Sequence, residues 1–236
     1  MQQAVLCGKR YQKSTFSGVY ASPLLRARRT AELILGQMET AHQLVLEDAL
    51  RERCFGDWEG MLWSDIQQQY PQLIESSKTD GDFVIPGGGE SRHQCVERAL
   101  GFLEELAASC PEDAHVLCVT HSGVATAIIK AVLGLPQGAR RSFDIRNLAI
   151  NQLHHTADGW MVRSLGDTTH LDRPPGSGSF GAGAGTSSAA GVGGGAASVD
   201  ASALPRSRGG RANDPGVEVV RHPWEDAERF PPPGCF

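Results

Sequence analysis

The run Val116-Leu117-Cys118-Val119-Thr120-His121-Ser122-Gly123-Val124-Ala125-Thr126-Ala127 sets a polar Thr-His-Ser-Gly corner between two apolar stretches. His115 to Thr120 reads as a buried strand, and Val124 to Leu133 as a helix closed by Gly134 and Pro136. Further short apolar pieces alternate with helical patterns. Ser14 to Tyr20 ends in a strand, Ala27 to Leu35 has helical spacing, and Gln43 to Leu46 is another short apolar piece. Ser91-Arg92-His93-Gln94 forms a capping box that opens a helix with Val96, Leu100, Leu103 and Leu106 on its apolar face. Two last strands lie near Ile150 to Leu153 and Met161 to Ser164. The alternation predicts a three-layer α/β/α sandwich around a mostly parallel central sheet, with ligands at the carboxyl ends of the strands.

The core-forming text stops near Leu171. From Pro174 a Gly/Ala/Ser/Pro-rich stretch begins that cannot bury enough apolar area to offset its chain entropy. The division expected is a domain over 1–171 followed by a disordered tail over 172–236.

The 236 residues carry a net charge of −5, with no basic stripe for nucleic acid and no polybasic cluster for a membrane surface. The six cysteines fall at irregular spacings without a C-x-x-C pair, as free thiols in a reducing compartment would. No apolar run is long enough to span a bilayer, and the first residues resemble neither a signal sequence nor a transit peptide. The expectation is a cytoplasmic protein that binds neither nucleic acid nor membrane. Nothing in the text bears on oligomeric state.

Four corners carry chemistry. At His121 the following helix exposes the amides of Ser122, Gly123 and Val124 and the positive end of its dipole, which suits an anion, although a histidine there can also serve merely as an N-cap. Val19 to Ala31 has the same strand-corner-helix form. Ser22 is placed to N-cap a helix with Pro23 at its first position, which sets Arg26 in the first turns as a phosphate ligand and leaves Arg28 and Arg29 as surface charges. In Leu50-Arg51-Glu52-Arg53-Cys54-Phe55-Gly56-Asp57-Trp58-Glu59-Gly60 two carboxylates flank a Gly/aromatic turn. Either is a candidate general acid or an ordinary surface glutamate. The fourth corner, Ile85 to Ser91, is a glycine-rich loop entering the capped helix.

Taken together, "SPLLRARRTA", "LRERCFGDWEG", "PGGGES" and "VTHSG", with "GDTTHL" at 166 to 171, resemble the histidine phosphatase superfamily, the phosphoglycerate mutase-like proteins, in motif order and approximate spacing. The resemblance implies a phosphomonoester hydrolase acting on a small molecule through a phosphohistidine intermediate. Arg26 and His121 would hold the phosphoryl group with Ser122 and Gly123. Glu52 would be the proton donor to the leaving oxygen, and Glu59 a structural neighbour. No cofactor or metal is implied. The stretch between Glu59 and Pro86 is shorter than the basic insertion of the family's mutases, which points to a phosphatase.

The family's nucleophile is the histidine of an Arg-His-Gly motif on its first strand, and here the chain opens "MQQAVLCGKRY", which resembles the helix that follows it. Three expectations follow. The domain is N-terminally truncated and lacks its nucleophile, or the protein is a silent phosphate binder, or the tail supplies the missing piece. In the third case Val217-Glu218-Val219-Val220-Arg221-His222 is an alternating strand ending in Arg-His, with His222 as nucleophile, although Pro223 stands where the family has glycine.

Overall fold

The computed structural model describes residues 1–79, 82–171 and 216–221. In chain order the elements are α1 (Gln2–Arg10), β1 (Gly18–Ala21), α2 (Leu25–Leu35), β2 (Leu44–Leu46), α3 (Trp63–Gln69), α4 (Pro71–Thr79), α5 (Arg92–Ser109), β3 (His115–Thr120), α6 (Ser122–Val132), β4 (Ile150–Thr156), β5 (Gly159–Asp167) and β6 (Gly216–Arg221). Short 3-10 turns at Asp48–Leu50 and Gly56–Trp58 lie between β2 and α3.

β3 explains the layering. Its side chains alternate between two cores although nearly every position is apolar, because both faces of the strand are covered. Val116 and Cys118 join Cys95, Ala99, Leu103, Val124 and Ile128 from α5 and α6. Leu117 and Val119 join Ala4, Cys7, Ala27, Ala31 and Ile34 from α1 and α2. The sheet is thus the middle of three layers, as the strand and helix alternation predicts. Trp58, Ile66, Ile74 and Ile85 form a third, smaller core under α3 and α4.

The strands order as β2-β1-β3-β6-β4-β5. The pairs β1–β2, β1–β3 and β3–β6 are parallel, while β4 runs antiparallel to β6 and to β5. The last strand of the chain therefore occupies a central place, with Cys118 opposite Val219 and Thr120 opposite Arg221 on one side and Ile150 opposite Val220 on the other.

Two expectations are corrected here. Residues 216–221 are not part of a structureless tail. Nor is the place between β3 and β4 vacant: without β6 each would present an unpaired edge in the middle of the protein, and the alternating segment Val217 to Arg221 satisfies both. His154, on β4, is buried at 9% exposure with Nε2 at 3.1 Å from Arg163. No described helix is long and apolar enough to cross a membrane.

Candidate active site

The carboxyl ends of β1 and β3 lie side by side, and each chain turns at once into a helix. His121 is the N-cap of α6, with extended backbone, so the helix amides begin immediately after it. The residue is fully buried. Its Nε2 lies 2.8 Å from Oγ of Ser22, also fully buried, at the end of β1.

Ser22 does not cap α2 as its position suggested. The N-cap is Leu24, and Ser22 Oγ accepts only the Leu24 amide, at 3.3 Å. The hydroxyl instead spans the two corners, holding the imidazole of one against the backbone of the other. Sequence spacing gave no sign of this, since the pair is 99 residues apart. Arg26 falls on the first turn of α2, half-buried, with its carbonyl accepting the Thr30 hydroxyl at 2.9 Å.

Glu52 reaches the same place from the third corner. Gly123 N donates to its Oε2 at 3.3 Å, and Arg53 N donates to Oε1 at 2.9 Å. A carboxylate at the amino end of a helix is favoured by the dipole and the open amides. Gly123 permits the approach, because a Cβ there would fall well inside contact with Glu52 Oε1. Thr120 Oγ1 donates to the Leu50 carbonyl at 2.7 Å and so fixes the start of the Glu52 segment to the end of β3.

Glu59, the other carboxylate of that corner, closes its own turn. Its Oε1 accepts from Phe55 N at 3.2 Å and Cys54 Sγ at 3.5 Å. The two glutamates that sequence alone left equivalent are thus separated, one on the helix end and one inside a loop. The glycine-rich loop is a brace for this segment. Asp57 N donates to Pro86 O at 2.8 Å and Glu90 N to Cys54 O at 2.9 Å. Gly56, at φ 50°, leaves no room for a side chain against the Pro86 carbonyl. Glu90 in turn holds Arg98 through two bonds of 2.7 and 2.8 Å, and Arg98 also donates to Ala49 O at 2.6 Å. The capping box at Ser91 and Gln94 forms in both directions, at 2.8 and 3.1 Å, and anchors the loop to α5.

Beside Glu52 and Gly123 opens a cavity of about 220 Å³ whose charged lining is Arg53, Arg92, Lys130 and Arg141. The sequence reading assigned none of these four a role, since they are scattered over 89 positions and converge only in the fold. Trp58 is buried in the small core and Trp63 is exposed on α3, so neither lines this cavity. His222 lies outside the described residues. It follows Arg221, the last residue of β6, directly in the chain.

Fold and site together define an α/β protein whose adjacent strand ends bring together a buried histidine, a serine hydroxyl and a carboxylate on the helix amides. The profile of the "Histidine phosphatase superfamily (branch 1)" matches residues 1–168, and the chain belongs to that family. A metal-independent phosphoserine phosphatase of Arabidopsis thaliana is 30% identical over 173 residues, covering 72% of this chain and 70% of its own length. The Serratia proteamaculans (strain 568) protein named "Probable phosphoglycerate mutase GpmB" is 32% identical over 183 residues, covering 73% and 81% respectively. Among solved structures, a mycobacterial glucosyl-3-phosphoglycerate phosphatase in complex with inorganic phosphate superposes with a TM-score of 0.62 at 27% identity, over 72% of this chain and 86% of that one.

Proposed function

We propose that the protein hydrolyses phosphomonoesters of small molecules, with Arg26, His121 and the Ser122 and Gly123 amides holding the phosphoryl group, Glu52 as proton donor and His222 as nucleophile. The observation that carries this reading is the position of β6. Parallel neighbours in a sheet lie about 4.8 Å apart. Thr120 stands opposite Arg221, so the chain leaves β6 beside the point where His121 leaves β3.

In this mechanism a ring nitrogen of His222 attacks phosphorus as the P–O bond to the leaving group breaks. The electron pair goes to the leaving oxygen, which takes the proton of Glu52. Water then attacks the phosphohistidine, Glu52 recovers a proton from it, and the P–N bond breaks to release phosphate. A phosphoryl group at this helix end would meet the same Gly123 amide that now donates to Glu52, which sets the carboxyl beside the bond to be broken. The named Arabidopsis relative, a metal-independent phosphatase, supports a route without metal.

A second reading, reversible phosphate binding without turnover, is favoured by Pro223. Proline has no N–H, so the residue after His222 in the sequence has no backbone donor to offer a phosphoryl group. One experiment separates the two. Rapid quench of the full-length protein with p-nitrophenyl phosphate should trap an acid-labile phosphate on His222, and His222→Ala should lose both label and turnover. Turnover that persists in His222→Ala overturns the nucleophile assignment. Phosphate binding without turnover in the unaltered protein selects the second reading.

A further inference from the structure

The cavity beside Glu52 holds more positive charge than a phosphoryl group alone requires. Arg53 and Arg92 come from the third corner and the start of α5, Lys130 from the end of α6, and Arg141 from the loop that follows. Among the described residues no acidic side chain lines the space, and none of the four cations forms an ion pair within 4.0 Å. Arg53 lies over the Phe55 ring at 4.8 Å, Arg92 donates to the Ser77 carbonyl, and Lys130 Nζ donates to the carbonyls of Gln137, at 3.0 Å, and Ala139. These partners orient the side chains without neutralising them.

Burial, and then the charge of Arg92, pull Arg53 below the usual guanidinium range; burial, followed by the charges of Arg92 and Arg141, pulls Lys130 below the usual lysine range. Cations brought together in a partly buried space repel one another, and an anion that enters relieves them. The cavity adjoins Ser122 and Gly123, where the phosphoryl group is held in the reading above, and Arg53 adjoins the proton donor in sequence. That is the side on which a leaving group would sit.

We infer that this cavity is a leaving-group subsite for a second anionic group, carboxylate or phosphate, so that the substrates are phosphomonoesters whose alcohol itself carries negative charge. Guanidinium forks match either anion. At about 220 Å³ the space has room for a small organic anion. The inference rests on the phosphatase reading for its chemistry but not for its test.

Three esters on one frame decide it: glycerol 3-phosphate, 3-phosphoglycerate and glycerol 1,3-bisphosphate, in which the far carbon carries a hydroxyl, a carboxylate or a phosphate. With the full-length protein, kcat/KM for at least one of the two anionic esters should exceed that for glycerol 3-phosphate by about tenfold or more. The ester preferred distinguishes carboxylate from phosphate. In Arg141→Ala, an exposed position, and in Arg53→Met the ratio should fall toward one. Equal kcat/KM for all three esters, or a preference undiminished in both variants, overturns the subsite. If none is turned over, it is the phosphatase reading that fails. Titration calorimetry with the same esters then applies: tighter binding of an anionic ester, weakened in Arg141→Ala, supports the subsite, and equal binding of all three overturns it.

Discussion

Gly123 and Glu52 are fitted to each other: the glycine amide donates to Oε2 at 3.3 Å, and the missing side chain is what lets the carboxylate reach the helix end. Gly123→Ala therefore places a methyl where Glu52 Oε1 now lies. The glutamate tip is flexible and alanine is the better helix former, so the fold should survive with Tm within a few degrees of the parent. Activity should not. With Glu52 in the proposed role of proton donor, its displacement should lower kcat for alkyl phosphates by about 10²-fold or more, and much less for p-nitrophenyl phosphate, whose leaving group needs little protonation. Similar losses on both substrates would show that Gly123 matters for something other than Glu52.

Ser22→Ala removes the hydroxyl beside His121 Nε2 in a fully buried site. The expected cost is about 1–3 kcal/mol in stability, since a polar ring atom loses a partner where water cannot replace it. The imidazole also loses an anchor, so inhibition by inorganic phosphate should weaken by about tenfold, more than global destabilisation alone would produce. Denaturation and phosphate inhibition measured on the same preparation check both halves. An unchanged inhibition constant would make Ser22 purely structural.

Most strands of the first 171 residues, and α2, α5 and α6 among the helices, were legible because each has its own signal, whereas the short α3 and α4 were not. The apolar run before His121, the Ser91–Gln94 capping box and the Gly134 stop all stand where the text places them. The corners at Arg26, Glu52 and His121 were legible as local shapes, a strand end turning into a helix twice and a glutamate before a glycine turn once. Their division of labour was not. Only the fold shows that Glu59 closes a turn while Glu52 sits on α6, or that Ser22 serves His121 rather than its own helix. The place of β6 was hardest to read. A six-residue alternating strand beyond a Gly-rich stretch carries almost no local information, and its position is fixed by the two long-range edges it satisfies.

Asp167 gives the protein an acid-sensitive tie between α1 and the end of β5. Burial opposes its ionisation, but bonds from Arg10, at 2.6 Å, and from Thr169 prevail and hold its pKa at about 2. A folded pKa below the unfolded one means that the pair stabilises fully above about pH 4, and that the contribution fades as pH falls toward 2. With Asp167 one-quarter exposed, solvent screening limits the effect to about 1–2 kcal/mol. Asp167→Asn should therefore lower stability by that amount at pH 7 and show little difference from the parent near pH 2. Urea midpoints at the two pH values test it, and a loss that does not change with pH would assign the effect to packing instead.

Val219→Pro tests the central place of β6. Val219 stands opposite Cys118 on β3 and Asn151 on β4, so the strand is paired on both sides. In such a strand each interior N–H is used by one neighbour or the other, and proline removes it while crowding the adjacent chain. The expected loss is about 2–3 kcal/mol, which lowers Tm by about 5–10 °C for a domain of this size. Hydrogen exchange should show the cause directly, with protection falling in β3 and β4 together while α3 and α4, which pack on a separate core, keep theirs. A Tm shift below about 2 °C would mean that the sheet does not depend on residues 216–221, and the case for His222 as nucleophile would fall with it.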